Sequence, residues 1–470
     1  MMPRAWLLPL FLFLLLFTRL DAQPEYSYII VENIFVEGNK KTRSHYILRE
    51  MFMQTCDTIS LANLNIELER NRLQLMNTGL FIQADVQTRN WDLDARTLDV
   101  VVRVTEAWYI YPLPIFELAD RNFNTWWDDY DRSLRRINYG IRFHHNNLTG
   151  RRDLLKATLQ FGFTNKYQLV YELPFFDKKQ LWGLAFKASY SRNKEINFAT
   201  IADHQQFFRE SDHVLLQQFS AGASATLRRK RQVTHIWEMT HYRNQIHPTV
   251  RDDLNPDYYL GSIRQRYTTL AYEFTADTRD IRPYPVNGGF MRLRLQKDGL
   301  AGWEDVNALH ASALVKKYFP LSHRWSVELV GAGRLALIRE KQPFANSQAL
   351  GYGSNYIRGY EYYVIDGLDY AYQKTSLRFR LLDRRRYLGK LMPFKNLKTL
   401  TYRLYITGNN DLGFANNPYY AEGNQLANRL LWGYGLGLDL VAYYNNLFRV
   451  EFTRNYLGEN GVFLHWATRF

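Results

Sequence analysis

From about residue 108 to the end of the chain, apolar and polar residues alternate in runs of roughly ten, separated by turn residues. Leu436, Leu438 and Leu440 alternate with Gly437, Asp439 and Val441. Phe448, Val450 and Phe452 alternate with Arg449, Glu451 and Thr453. A period of two places one residue set on each face of a strand. Sixteen such runs are predicted, near 110–118, 136–145, 152–163, 166–173, 181–193, 213–228, 232–246, 262–276, 289–299, 306–318, 323–337, 371–382, 398–407, 430–444, 446–456 and 460–470. One greasy and one polar face per strand predicts an all-β transmembrane β-barrel of about 16 antiparallel strands, with lipid outside and water inside. The even count returns both barrel ends to one side. The connections also fall into two classes. Phe319-Pro320-Leu321-Ser322 and Asn445-Asn446 are short, whereas 119–135, 191–212, 338–370 and 408–429 are long.

The segment 26–107 follows another pattern. Ile29 to Val36 is β-branched and apolar, and Glu37-Gly38-Asn39 ends it. A short helix is predicted from an N-cap at Thr42 to Phe52, and a second from a cap at Ser60 to near Gly79, with Leu61, Leu64, Leu68 and Leu75 at helical spacing. Two alternating strands follow, through Val86 and through Leu98 to Val104. The order strand, helix, helix, strand, strand predicts a small α+β domain.

Composition narrows the function classes. The 470 residues carry a net charge of +14 and a pI near 9.5, with no tract read as dense enough for a nucleic-acid patch. Aromatics reach 16%, which suits girdles at two membrane interfaces. Residues 1–22 read as a signal peptide, with Arg4, an apolar core from Trp6 to Phe17, and cleavage expected before Gln23. The single Cys56 excludes an internal disulfide and a thiolate cluster. No nucleophile elbow, phosphate loop or metal-ligand spacing appears, so neither an enzyme nor a cofactor or metal is expected. His144, His145, His235, His241 and His247 sit at strand spacing, and the glycines of Gly433-Tyr434-Gly435-Leu436-Gly437 precede a strand and are read as bends in the wall. Trp126-Trp127 suits either a partner or the membrane interface.

The small domain, with Val36-Glu37-Gly38-Asn39, Ile47-Leu48-Arg49-Glu50 and Thr78-Gly79-Leu80-Phe81, resembles a POTRA domain. Two motifs in the barrel extend the resemblance to the BamA/TamA-like outer-membrane assembly and transport family, of the bacterial surface antigen type. Asp277-Thr278-Arg279-Asp280, followed by Tyr284-Pro285 and Gly288-Gly289, resembles the family's periplasmic turn, and Asp277, Arg279, Asp280, Pro285 and Gly288 are read as structural there. Ile357-Arg358-Gly359-Tyr360 resembles the signature of a loop that folds back into the lumen. The terminal alternating strand, with Trp466 and Phe470, resembles an outer-membrane assembly signal.

The resemblance implies a signal peptide (1–22), a periplasmic POTRA domain (26–107) and a barrel (108–470) in the outer membrane of a Gram-negative bacterium. It implies as partners outer-membrane lipid, unfolded outer-membrane or secreted clients and periplasmic or lipoprotein accessory subunits, but no nucleic acid. The expected function is assembly or insertion of outer-membrane proteins through a weak seam between the first and last strands, which Pro112 and Pro114 would weaken further. The alternatives are a polypeptide-translocating pore of the two-partner-secretion type and a structural barrel anchoring a complex. Family carboxylates pair with the loop arginine from the two strands after the loop. Here neither 371–382 nor 399–407 contains Asp or Glu. The expected acceptors for Arg358 are therefore Asp439 first and Glu451 second, both on inward faces.

Overall fold

The computed structural model describes residues 28–468, except 121–122, 178, 180, 231, 390–397 and 444–445. The signal-peptide segment and Phe470 lie outside the described residues. The N-terminal domain comprises β1 (Tyr28–Glu37), α1 (Ser44–Glu50), β2 (Thr58–Ser60), α2 (Leu64–Asn77), β3 (Phe81–Asp92) and β4 (Thr97–Glu106). Its sheet runs β2-β1-β4-β3, with β1 and β4 parallel. The helices bury Ile47, Met51, Leu64 and Leu75 against Ile29, Val31, Leu98, Val100, Val102 and Val104, giving one small core. Thr42 does not cap α1. Its hydroxyl is buried against the Tyr109 hydroxyl at 2.7 Å, and Arg43 occupies the cap position.

The remaining strands are β5 (Ile110–Leu118), β6 (Ile137–Asn146), β7 (Leu154–Gly162), β8 (Thr164–Leu173), β9 (Trp182–Asn193), the hairpin β10 (Glu195–Ile201) and β11 (His204–Arg209), β12 (Leu216–Lys230), β13 (Val233–Ile246), β14 (Arg264–Asp277), β15 (Gly288–Asp298), β16 (Ala308–Pro320), β17 (Trp325–Ala336), the short pair β18 (Gln348–Leu350) and β19 (Ile365–Asp366), β20 (Asp369–Tyr387), β21 (Thr399–Asn416), β22 (Leu431–Ala442), β23 (Asn446–Asn455) and β24 (Asn460–Thr468). Without the two small hairpins, the sixteen barrel strands pair antiparallel, each with its neighbour in sequence, from β5 to β24. One helix, α3 (Phe123–Asp128), lies in the first long connection.

The alternation sorts side chains as the period requires. Leu436, Leu438, Phe448 and Phe452 are exposed on the outer face, whereas Asp439, Glu451 and Thr453 are fully buried inside. Aromatic side chains ring both rims. Tyr139, Phe161, Tyr167 and Tyr190 contact one another in series at one end, and Trp182–Trp237, Trp325–Phe379 and Phe448–Trp466 pair at the other.

Two strands run far past the ends read from sequence. The run at 371–382 is part of a 19-residue strand, and that at 398–407 part of an 18-residue strand. Asp411 and Asn409 on the inner face, and the exposed run Arg384 to Arg386, broke the apolar alternation. They did not break the strand, because cross-strand pairing continues from Asp369↔Asn416 to Tyr387↔Thr399.

Candidate functional site

The connection 338–368 turns back into the lumen, and close backbone approach seats it. Ile357 is buried with Leu350, Tyr360, Leu426 and Leu431. A Cβ at Gly433 would lie 1.7 Å from the Arg358 carbonyl oxygen, and one at Gly413 would lie 2.6 Å from Ile357 Cδ1. Those two wall glycines are the slots that admit the loop, a role the bend reading of 433–437 missed. Gly359 has φ +85°, and its carbonyl accepts from Asn455 Nδ2 at 2.8 Å. The Tyr360 hydroxyl accepts from the Tyr456 backbone N–H at 3.3 Å.

Arg358 is held by two strands. Its Nη1 donates to Asp411 Oδ1 at 2.8 Å, and its backbone N–H to Asp411 Oδ2 at 3.1 Å. Its Nε forms an ion pair with Glu451 Oε1, also at 2.8 Å. The guanidinium side chain is 4% exposed and both carboxylates 0%. Asp411 stands on β21, the second strand after the loop, beyond the end read from sequence. Asp439, the first-choice acceptor, does not meet Arg358. Its two oxygens take Arg449 Nε and Nη2, each at 2.7 Å, and one also accepts from the Tyr284 hydroxyl at 2.8 Å. Removing one partner of such a buried group costs about 3–5 kcal/mol, because the other charge stays buried.

Tyr284 belongs to the second motif, which enters the lumen from the opposite end. Its ring packs 4.7 Å from Tyr405 and under the Arg378 guanidinium, which pairs with Glu328 and donates to the Pro285 carbonyl at 2.9 Å. Below it Arg279 grips Asp277 through Nε and Nη2, each at 2.8 Å. Asp280 accepts from the Ile281 and Val286 N–H groups. Gly288, at φ +96°, leaves room for the Thr278 carbonyl, which a Cβ would approach to 2.2 Å. Glu361, Glu451 and His465 bring donor atoms within 4.8 Å of one another. Arg358 and Arg449 already meet the Glu451 charge, at 2.8 and 3.9 Å.

The lumen loop also touches the last strand. Tyr356 stacks on His465 at 5.3 Å and Tyr362 meets Phe463 edge-on at 5.4 Å, both on the inner face of β24. From the first long connection, α3 sends Asn124 Nδ2 to the Val462 carbonyl at 2.8 Å, while the Tyr362 hydroxyl donates to Asp128 at 2.9 Å. Among the described residues no ladder pair joins β5 to β24. Loop contacts therefore stand where a barrel ladder would. Sequence reading did not find this strap, although a short polar–aromatic helix after the first strand was its signal. Trp126 donates to the Ser133 carbonyl within its own connection, Trp127 is exposed, and Trp466 is exposed against Phe448.

At the other end the small domain docks against the barrel turns. Glu50 of α1 is buried between Arg152, at 2.6 Å, and Arg228, at 2.6 and 3.1 Å. Burial alone would raise its carboxyl, but the two guanidiniums outweigh that and hold it at about 2. Arg152 follows β6 and Arg228 lies two residues before the end of β12, so one carboxylate ties a seam-side turn to the far wall.

An Omp85 superfamily domain model matches residues 147–442, and a POTRA model, described as a surface antigen variable number repeat, matches 29–107. The chain belongs to the Omp85 superfamily. An Omp85 barrel with a POTRA domain indicates the outer membrane of a Gram-negative bacterium and a general role in insertion or translocation there, and members such as BamA and CdiB are non-enzymatic. No curated protein matches the sequence significantly. Among solved structures, this Omp85 chain is similar to BamA from Haemophilus ducreyi lacking POTRA domains 1–3, at 13% identity and a TM-score of 0.53, over 94% of this chain and 85% of that one. It is also similar to CdiB from Escherichia coli, at 12% identity and a TM-score of 0.50, over 96% and 92% of the two chains. CdiB from Acinetobacter baumannii gives 15% and 0.50, over 94% and 73%. These likenesses carry the fold.

Proposed function

We propose that this Omp85 barrel assembles client β-strands into the outer membrane through the seam between β5 and β24. The observation that carries the reading is that among the described residues no ladder pair joins those strands, and a sheet edge of that kind is a template for a client strand. Pro112 and Pro114, two apart, remove two donors from the same edge of β5. The Arg358–Asp411–Glu451 cluster seats the loop, and the loop holds β24 through Tyr356 and Tyr362, so the lock and the seam strand move together. The POTRA domain, docked through Glu50 at what we read as the periplasmic end, delivers the client. Trp466 and Phe470 serve as the chain's own assembly signal.

The test pairs cysteines along β5 (113–116) with cysteines along β24 (462–466) in membranes, after replacement of Cys56. Insertion of a test barrel protein should fall to background when the seam is covalently closed and return on reduction. Full insertion through a closed seam would overturn the reading. Client-dependent conductance through the closed seam would then support the translocating pore, and a silent barrel would support the structural anchor.

A further inference from the structure

The β20–β21 hairpin outgrows the barrel. β17 pairs with β20 only as far as Trp325↔Phe379, and β22 pairs with β21 only as far as Tyr402↔Ala442. Among the described residues, β20 has no ladder partner but β21 from Leu381 on, whereas β21 keeps β22 as far as Tyr402, opposite Arg384, and its Thr401 carbonyl accepts from the Tyr443 N–H; β20 and β21 pair with each other out to Tyr387↔Thr399. Leu381 to Tyr387 are all exposed. A register shift between Arg380 and Leu382 marks a bulge where the ribbon leaves the wall, a device that bends and re-aims a strand. The ribbon lies at the same end as the turns that meet the POTRA domain.

Its charge is one-sided. Arg384, Arg385 and Arg386 are consecutive, Lys398 sits beside them, and Asp383 is the lone carboxylate, engaged by Arg380 at 3.4 Å. Among the described residues, Arg384, Arg385, Arg386 and Lys398 enter no ion pair. The spread of charge along the whole sequence concealed this patch. The pairing concentrates it, because the carbonyl of Lys398, just before β21, accepts from the Leu388 N–H, so Lys398 stands beside the three β20 arginines.

We infer that this ribbon is a docking site for an acidic, extended segment of a periplasmic protein. Two features favour a polypeptide over lipid headgroups. Among the described residues the outer edge of β20 carries no ladder partner from Leu381 to Tyr387, and a strand can satisfy a row of backbone N–H and C=O groups where a lipid cannot. Reach is the second. Seven residues at ~3.3 Å each carry the ribbon about 23 Å past Phe379, or about 16 Å along the membrane normal at a ~45° tilt. The headgroup layer is only about 5–8 Å deep, so the arginines lie beyond the phosphates. Like charges facing one another disfavour self-pairing of two ribbons, while guanidinium forks suit carboxylates on a partner strand. The inference uses the periplasmic assignment of this end but not the insertion activity.

The experiment measures binding of a labelled ten-residue peptide alternating Glu and Val to the purified full-length chain in neutral detergent. The controls are the Gln–Val counterpart and phosphatidylglycerol vesicles. The acidic peptide should bind at least about tenfold more tightly than the Gln peptide, and the preference should fall with added salt. The triple variant Arg384→Glu, Arg385→Glu, Arg386→Glu should abolish the preference, and the triple Lys variant should retain most of it, with heat-modifiable migration checked for both. Equal binding of both peptides would overturn the inference. So would a preference unchanged in the triple Glu variant, or a variant effect confined to the vesicles, which would make the ribbon a lipid contact. Peptide binding can succeed where seam insertion fails, so the two readings fall separately.

Discussion

The far wall and the seam of this barrel are built from the same alternating strands but held in different ways. β12 and β13 run 15 and 14 residues and pair along nearly their whole length on both sides. β5 and β24 run nine residues each and, among the described residues, pair on one side only. Continuous ladder holds the wall. The seam is held by side chains of other segments: α3 on the Val462 carbonyl, and Tyr356 and Tyr362 on the inner face of β24. The ladder is distributed and cooperative, whereas the strap is a handful of contacts of about 1 kcal/mol each. A barrel so constructed opens at one place and keeps its shape elsewhere.

Proline substitution in the wall should break the comparison most severely. Ala223→Pro, in the centre of β12 between β9 and β13, should prevent barrel formation, seen as loss of heat-modifiable migration. Next in size is Arg358→Ala. It leaves Asp411 and Glu451 buried without their guanidinium, costs about 3–5 kcal/mol, and should free β24 with the wall intact. Hydrogen exchange should rise in 460–468 and stay unchanged in 216–246. Equal acceleration in both segments would show that the lock braces the whole barrel.

Glu50→Gln should release the POTRA domain from the turns bearing Arg152 and Arg228 at a cost of about 3 kcal/mol of docking. Because the docked carboxyl is depressed to about 2, the Glu50 contribution is complete above pH ~4.5 and is lost as pH falls toward 2. A distance probe between the exposed positions 66 and 230, which leaves Glu50 and Arg228 in place, should register release in that acid window for the native chain, and at neutral pH for the variant. The smallest effect belongs to Asn124→Ala, which uncaps the Val462 carbonyl for about 1 kcal/mol. It should raise the yield of transient β5–β24 crosslinks only modestly, without shifting the thermal midpoint of the barrel.

Much of this was legible in the chain. A period of two is a local property, so the barrel, its strand count and the sidedness of Asp439 and Glu451 could be read from nearest neighbours alone. The order of elements in 26–107 and the two motifs were equally local. The acceptor of Arg358 was not. Asp439, Glu451 and Asp411 all point inward, and the alternation cannot say which lies at the height of a loop entering from one end. Strand stagger and the Gly413 and Gly433 slots set that height, pairing Arg358 with Asp411 and Glu451 and giving Asp439 to Arg449 and Tyr284. The strand ends were also misjudged, since apolar alternation measures contact with lipid, while pairing carries β20 and β21 past the membrane. The sequence by itself determined which side of the wall each residue faces, because that depends on backbone pleat and burial. Only the tertiary structure decided which inward charges meet and which edges stay open, because those depend on distances closed by the barrel.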